Sequence, residues 1–395
     1  MTSSVIVAGA RTPTGRFRGA LADRTAVELG AVAIREALTR SRVEADAIDY
    51  VIMGHVLQAG AGQITARQAA IAAGIPREIP AITINKVCLS GMNAIALADQ
   101  LIRAGEIDVA VAGGMESMTQ APYLLPKGRE GMRLGQTQMI DSMIHDGLWS
   151  TFTEQHMGED SDEVNAELKI SREEQDAWAA RSHRRAAAAW DEGRLAEETV
   201  AVEVPQRRGD PILVERDEGI RPDSTTDLLA TLPPAFKEGG TITAGNASQI
   251  SDGAAAVIVM REDVADRRGL EPIARIVAHG MAAERYQYLH TVPAIALQHA
   301  LKKAQKDVHD LGLLEVNEAF AAVASNVTRI LGFDEALTNV NGGAVAIGHP
   351  IGASGARLVL TLAHEMRRRR VDLGAATICG GGGQGDALIL ERLAG

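Results

Sequence analysis

A chain of 395 residues with 46% hydrophobic side chains is long enough for two or three compact units with substantial cores. Its net charge of −11 argues against a general nucleic-acid binder, and its two cysteines exclude a disulfide scaffold and fit a reducing compartment. Apolar runs fall short of the ~18 residues of a membrane span, and the start of the chain lacks a signal-type apolar segment, so a cytoplasmic protein with no membrane partner is expected.

Residues 4–8 read as a first strand. Thr25-Ala-Val-Glu28 is a capping-box pattern that opens a helix to about Thr39. A strand at 50–53 and a helix at 66–73, stopped by Gly74 and Pro76, follow. Ile82, Thr83, Ile84 and Val87 then suggest a buried strand, and Ser90 to Ile102 a helix enclosed on most sides and closed by Gly105. Cys88 thus sits where strand turns into helix, a place that favours a thiolate through unpaired N–H groups and the macrodipole. A small buried hydrophobe is the plainer reading of the same residue. With a strand at 109–112, this alternation predicts a mostly parallel sheet covered on both faces.

After Met118 the chain turns polar and proline-rich. Residues 119–249 carry a helix from Ser171 to about Trp190 and short strand-like runs at 200–204 and 212–214; such an insertion usually covers a site. Strands at 254–260 and 273–277, a helix at 294–306, a strand at 313–316, helices at 319–331 and 354–368, and closing strands at 375–379 and 387–390 complete the reading. Cys88-Leu-Ser90-Gly91 and Ala353-Ser354-Gly355 each open an apolar helix, and each helix is followed by a strand ending in paired glycines. This faint repeat suggests two similar halves.

Gly380-x-Gly-x-x-Gly385 formally matches a dinucleotide fingerprint, but the strand-like residues after it and the short remaining chain rule that reading out. A zinc site is disfavoured because no Cys or His pair has structural-site spacing. His349, crowded by glycines before a buried helix, is either a satisfied core histidine or a proton carrier. Asn317 follows a strand and could be a helix N-cap. Two cysteines, a histidine and an asparagine at element ends beside glycines suit covalent catalysis on a thioester. One thiolate exchanges the acyl group, and a second thiol acts as base on the C–H beside a carbonyl.

These blocks resemble the thiolase family. Asn85-Lys-Val-Cys88-Leu-Ser-Gly-Met-Asn is similar to its nucleophile motif. Asn317-Glu-Ala-Phe320, Gly342 through Gly355 around His349, and Cys379-Gly-Gly-Gly-Gly-Gln-Gly385 are similar to its other three blocks, and the likeness covers essentially the whole chain. The resemblance implies an α/β fold of two duplicated βαβ halves, built on mixed sheets covered by helices, with an inserted loop domain. The first half would take 1–118 and 250–270, the coenzyme A and tetramerisation loop 119–249, and the second half 271–395. The biosynthetic branch is favoured, acting on acetyl-CoA and acetoacetyl-CoA as a homotetramer, with coenzyme A thioesters as substrates and no tightly bound cofactor or metal.

The resemblance also implies roles. Cys88 is the nucleophile, His349 its activator, Cys379 the base, and Asn317 the holder of a water. The N–H groups of Cys88 and Gly381 form one oxyanion hole, and Leu148, His156, Met157, Arg221, Ser248 and Phe320 line the substrate tunnel. The chain departs from the family at Gln287-Tyr-Leu-His-Thr291, bulkier than the usual glycine-containing segment, and at Gly380 and Gln384, which replace the more usual Ile and Met. A degradative thiolase for longer acyl chains is the alternative enzyme reading, and a non-catalytic acyl-CoA binding protein the alternative outside enzymes.

Overall fold

A computed structural model describes residues 2–206 and 208–393. Met1 and Gly395, the outer limits assigned to the first and second halves, lie outside those residues.

In chain order, β1 (Ser4–Arg11) leads to α1 (Ala26–Ser41), where Thr25 and Glu28 form the anticipated capping box. Next come β2 (Tyr50–Gly54), α2 (Thr65–Ala72), β3 (Ala81–Ile84), α3 (Ser90–Ala104) and β4 (Val109–Ser117). The polar stretch holds two helices of three turns or more, α4 (Met157–Leu168) and α5 (Arg172–Asp191), the latter capped by Ser171. After it come β5 (Ser251–Arg261), β6 (Ala274–Ala283), α6 (Val292–Ala304), β7 (Leu313–Val316), α7 (Ala321–Leu331), α8 (Ser354–Arg369), β8 (Leu373–Gly380) and β9 (Gln384–Glu391).

The strands form one sheet in the order β7-β8-β9-β6-β1-β5-β4-β2-β3. From its centre outward each side repeats one plan. β1-β5-β4-β2-β3 on one side matches β6-β9-β8-β7 on the other, where a parallel bridge from Leu314 to Thr338 stands in the place of β3. The two central strands meet antiparallel at Ser4–Ile6 against Ala274–Ile276. The mostly parallel expectation is therefore corrected: β2/β3, β2/β4 and β7/β8 are parallel, whereas β1/β5, β4/β5, β1/β6, β6/β9 and β8/β9 are antiparallel. Strands β4–β5 and β8–β9 are as apolar as parallel core strands because both faces are covered, so composition does not reveal their direction.

Three layers of side chains bury the sheet except at the edge strand β3, which was expected to be buried but is only half-buried, with Ile82 exposed. Between the halves, α3 and α8 pack together with Ile95, Ile102, Leu358 and Leu362 against Val257 and Ile378. Outside the first half, α1 and α2 cover Val51, Val111 and Ile258; outside the second, α6 and α7 cover Val316 and Ile389. The helix–helix approach at the centre requires glycine. A Cβ at Gly91 would lie 2.8 Å from the backbone N of Ala356, and one at Gly355 2.5 Å from that of Met92. The two central helices thereby bring their N-termini, and the loops preceding them, to the same region.

Candidate functional site

Cys88 lies in a tight elbow between β3 and α3. Val87 has φ of +50°, a left-handed conformation that costs a β-branched residue ~1–3 kcal/mol and persists only where neighbours enforce it. The enforcement is local: Asn85 Oδ1 accepts from Val87 N at 3.0 Å, Lys86 N donates to Ser90 Oγ at 2.8 Å, and Ser90 Oγ donates to Val87 O at 2.6 Å.

Helix α3 starts at Ser90, with Leu89 as its N-cap, so Cys88 stands one residue before the cap. The expected thiolate stabilisation is outweighed. Burial raises the Cys88 thiol to about 12, aided by the negative charge of Glu116 and opposed by the N–H groups of Cys88 itself and of Gly381. Desolvation wins because the sulfur is enclosed; the two N–H groups nevertheless converge on it. Cys379 is the last residue but one of β8 and is also buried, and desolvation and the nearby Cys88 push its thiol up.

His349 precedes α8 in a glycine-rich loop that two buried carboxylates pin. Glu116 accepts from the N–H groups of Val56, Leu57 and Gly352 at 2.9–3.1 Å. Glu318 accepts from Trp178 Nε1, Ser182 Oγ, Asn339 Nδ2 and Val345 N at 2.7–3.0 Å. The tautomer of His349 follows from its partners. Ser354 Oγ donates to Pro350 O at 2.9 Å, so at its 2.6 Å contact with His349 it accepts from Nδ1–H. Nε2 keeps its lone pair, facing Asn317 Nδ2 at 3.4 Å. Burial, with the charge of Arg357 second, lowers this imidazole to about 3, so it is neutral at pH 7. Asn317 caps no helix: the N-cap of α7 is Phe320, and Asn317 Oδ1 is buried with no hydrogen-bond partner among the described residues.

Cys88, His349, Cys379 and Gly381 share the lining of one apolar cavity of about 410 Å³. Leu148, His156, Met157, Ser248 and Phe320 line it too. His156 caps α4 and stacks on Phe236 at 4.7 Å, and Phe236 meets Phe320 edge-on at 6.0 Å. Asn317 stands behind this wall, bonded to His349. Arg221 is not brought in: it is exposed outside the cavity lining, with its backbone N–H bonded to His183.

Arg16 and Phe17 instead line the cavity, a placement that no local sequence signal indicated. Ser354 was visible only as a helix-opening residue, although it fixes the His349 ring. Of the departures, Gly380 leaves no void, because a Cβ there would lie 2.8 Å from Leu89 Cγ; Leu289 of the atypical segment lines the cavity.

Comparison with known proteins finds likeness along nearly the whole chain. Residues 4–263 match the model of the thiolase N-terminal domain and residues 270–392 that of the thiolase C-terminal domain. The chain is 56% identical over 388 residues to a probable acetyl-CoA acetyltransferase of Mycolicibacterium smegmatis, covering 98% of this chain and 100% of that protein. It is 54% identical to a probable acetyl-CoA acetyltransferase of Mycobacterium tuberculosis and 49% identical to the acetyl-CoA acetyltransferase of Cupriavidus necator, each over 99% of this chain and 100% of the relative. The chain belongs to the thiolase family.

Proposed function

We propose that the chain is an acetyl-CoA C-acetyltransferase, condensing two acetyl-CoA into acetoacetyl-CoA and free coenzyme A, reversibly, through an acyl-enzyme. The observation that carries this is the convergence of two thiols, a neutral imidazole and the Gly381 N–H on one apolar cavity. His349 Nε2 takes the Cys88 proton as the sulfur attacks the acetyl carbonyl, and the N–H groups of Cys88 and Gly381 hold the oxyanion. The expelled coenzyme A thiolate takes the proton of Cys379. The Cys379 thiolate so formed then removes a proton from the methyl of a second acetyl-CoA, whose enolate oxygen is held by protonated His349 and by a water on Asn317. Attack on acetyl-Cys88 forms the new C–C bond, and Cys88 leaves and recovers its proton from His349.

The insertion residues Leu148, His156, Met157 and Phe236 would hold the pantetheine arm. This supports treating 119–249 as a substrate-covering unit between halves 1–118 with 250–270 and 271–395. Arg16, paired with Glu218 at 3.1 Å, places a cation at the lining for an anionic substrate, and Arg221 stands outside it. Exposed Met132, Leu134 and Met139 support the homotetramer. No helix among the described residues is long and apolar enough to cross a membrane, which supports a cytoplasmic setting.

A second reading, cleavage of longer 3-ketoacyl-CoAs, has one observation behind it. A cavity of about 740 Å³ shares Met157 and Gly381 with the catalytic one. Thiolysis of acetoacetyl-CoA against 3-ketooctanoyl-CoA separates the two. Higher kcat/KM on the short substrate is expected, and preference for the long one overturns the biosynthetic assignment.

A further inference from the structure

The site works only if two separate loops are in register. Cys88 belongs to the elbow before α3, whereas Cys379 and Gly381, whose N–H faces the Cys88 sulfur, belong to the β8–β9 hairpin almost 300 positions later. Among the described residues, the elbow's other side-chain hydrogen bonds stay within it or reach Val56. One of its side chains hydrogen-bonds across to the hairpin. Lys86, two residues before the nucleophile, places Nζ 2.8 Å from Asp386 Oδ1.

Asp386 is fully buried on β9, paired across the hairpin with Ile378, the neighbour of Cys379. Its other oxygen accepts from Asn93 Nδ2 of α3 at 3.3 Å, and His279 Nε2 of β6 lies 3.7 Å from Oδ1. A carboxylate held away from water is a costly group to keep unless its partners satisfy it, so the pairing is directional and stiff.

We propose that Lys86 and Asp386, with Asn93, are positioning residues: an ion-paired clamp that sets the Cys88 elbow against the hairpin carrying Cys379 and the Gly381 N–H. The clamp acts through geometry and touches no substrate, and its effect on turnover rests on the acyl-transfer reading above.

Two measurements on the full chain test it. In Lys86→Met, acetylation of Cys88 by acetyl-CoA, followed by intact mass, should slow about 10–100-fold, as expected for misplacement of roughly 1 Å, while KM changes less than about two-fold. Lys86→Arg, which can still reach the carboxylate, should recover most of that rate. Independently of substrate, dibromobimane should bridge Cys88 and Cys379 in the wild type and do so at half the yield or less in Lys86→Met. A rate within two-fold of wild type, a loss borne by KM, a loss that Lys86→Arg does not recover, or an unchanged bridging yield would each overturn the clamp. If wild-type Cys88 takes no acetyl group, the acyl-transfer reading fails, and the bridging yield still judges the geometry. Lys86 is partly exposed, so its variant tests the pair even if Asp386→Asn does not fold.

Discussion

The two loops that open the central helices occupy equivalent places in the two halves, yet they are built differently. Before α3 the turn is short and strained, held by its own side chains around Val87, and it presents a thiol. Before α8 the loop is long and rich in glycine, pinned by the carboxylates of Glu116 and Glu318, and it presents an imidazole. Burial acts on both in opposite proton directions: it keeps the proton on Cys88 and keeps it off His349. One half therefore holds a donor that does not ionise alone, and the other an acceptor that is not yet filled. Duplication supplied the frame, and the different loops made the two ends complementary.

The sharpest way to break this comparison is to remove the thiols one at a time. Cys88→Ala should abolish turnover and any acetylated enzyme seen by mass spectrometry. Cys379→Ala should lose about 10²–10⁴-fold in condensation, the range for a positioned general base, while acetyl-Cys88 still accumulates. Equal loss of acylation in both variants would show that the two thiols are not divided between the steps. On the histidine side, Ser354→Ala removes the partner of Nδ1 while leaving Nε2 in place. A kcat loss of about ten-fold, equivalent to one hydrogen bond of ~1.4 kcal/mol, is expected with KM little changed.

The contrast between the loops was only half legible in the sequence. Cys88 at a strand–helix junction could be read because alternating Ile82–Ile84 and the apolar run after Ser90 have different periods. Likewise, Ser171 and Thr25 announced their helices. The fate of the thiol was not legible, since a helix N-terminus and burial pull its proton affinity in opposite directions and only packing sets their balance. Strand direction was hidden because buried antiparallel and parallel strands have the same composition. Helix α4 escaped because His156, an uncommon cap, opens it. Arg16 acquires its place through contacts made across the chain, with Ser251 and Glu218, whereas Ser354 bonds His349 and Pro350, five and four residues before it, in a loop path that no periodic pattern encodes. Gly380 illustrates the converse: it stands where the family more usually carries Ile, yet the space a side chain would take is occupied by Leu89.

Acid should sharpen the comparison from the second half. His290 is fully buried before α6, and burial, followed by the charge of Arg329, lowers it to about 3, as with His349. An unfolded histidine titrates near 6.5, so between about pH 6.5 and 3 the unfolded chain binds more protons and stability falls as pH falls. Glu315, raised to about 8, and Asp252, raised to about 6, contribute with the opposite sign. Comparison with a variant removes them: His290→Leu should flatten the loss of denaturation midpoint by about one proton's worth across that window. Parallel pH profiles for the two proteins would show that His290 is not held neutral.

The smallest expected effect concerns the strained elbow itself. Val87→Gly releases a left-handed valine, worth about 1–3 kcal/mol, but adds about 0.5–1 kcal/mol of unfolded-state entropy and loses the packing of a half-buried side chain. These terms oppose one another, so stability should move by less than about 1 kcal/mol, read from denaturant midpoints at constant slope. Activity should move more. Val87 Cγ1 lies 3.5 Å from where a Cβ on Gly381 would stand, so the valine packs the elbow close to Gly381 of the other half. A glycine there frees the turn without breaking it, so kcat should fall while the fold persists. Unchanged kcat in a fully folded variant would mean that the strain at Val87 is a consequence of packing and not part of how the two loops are set against each other.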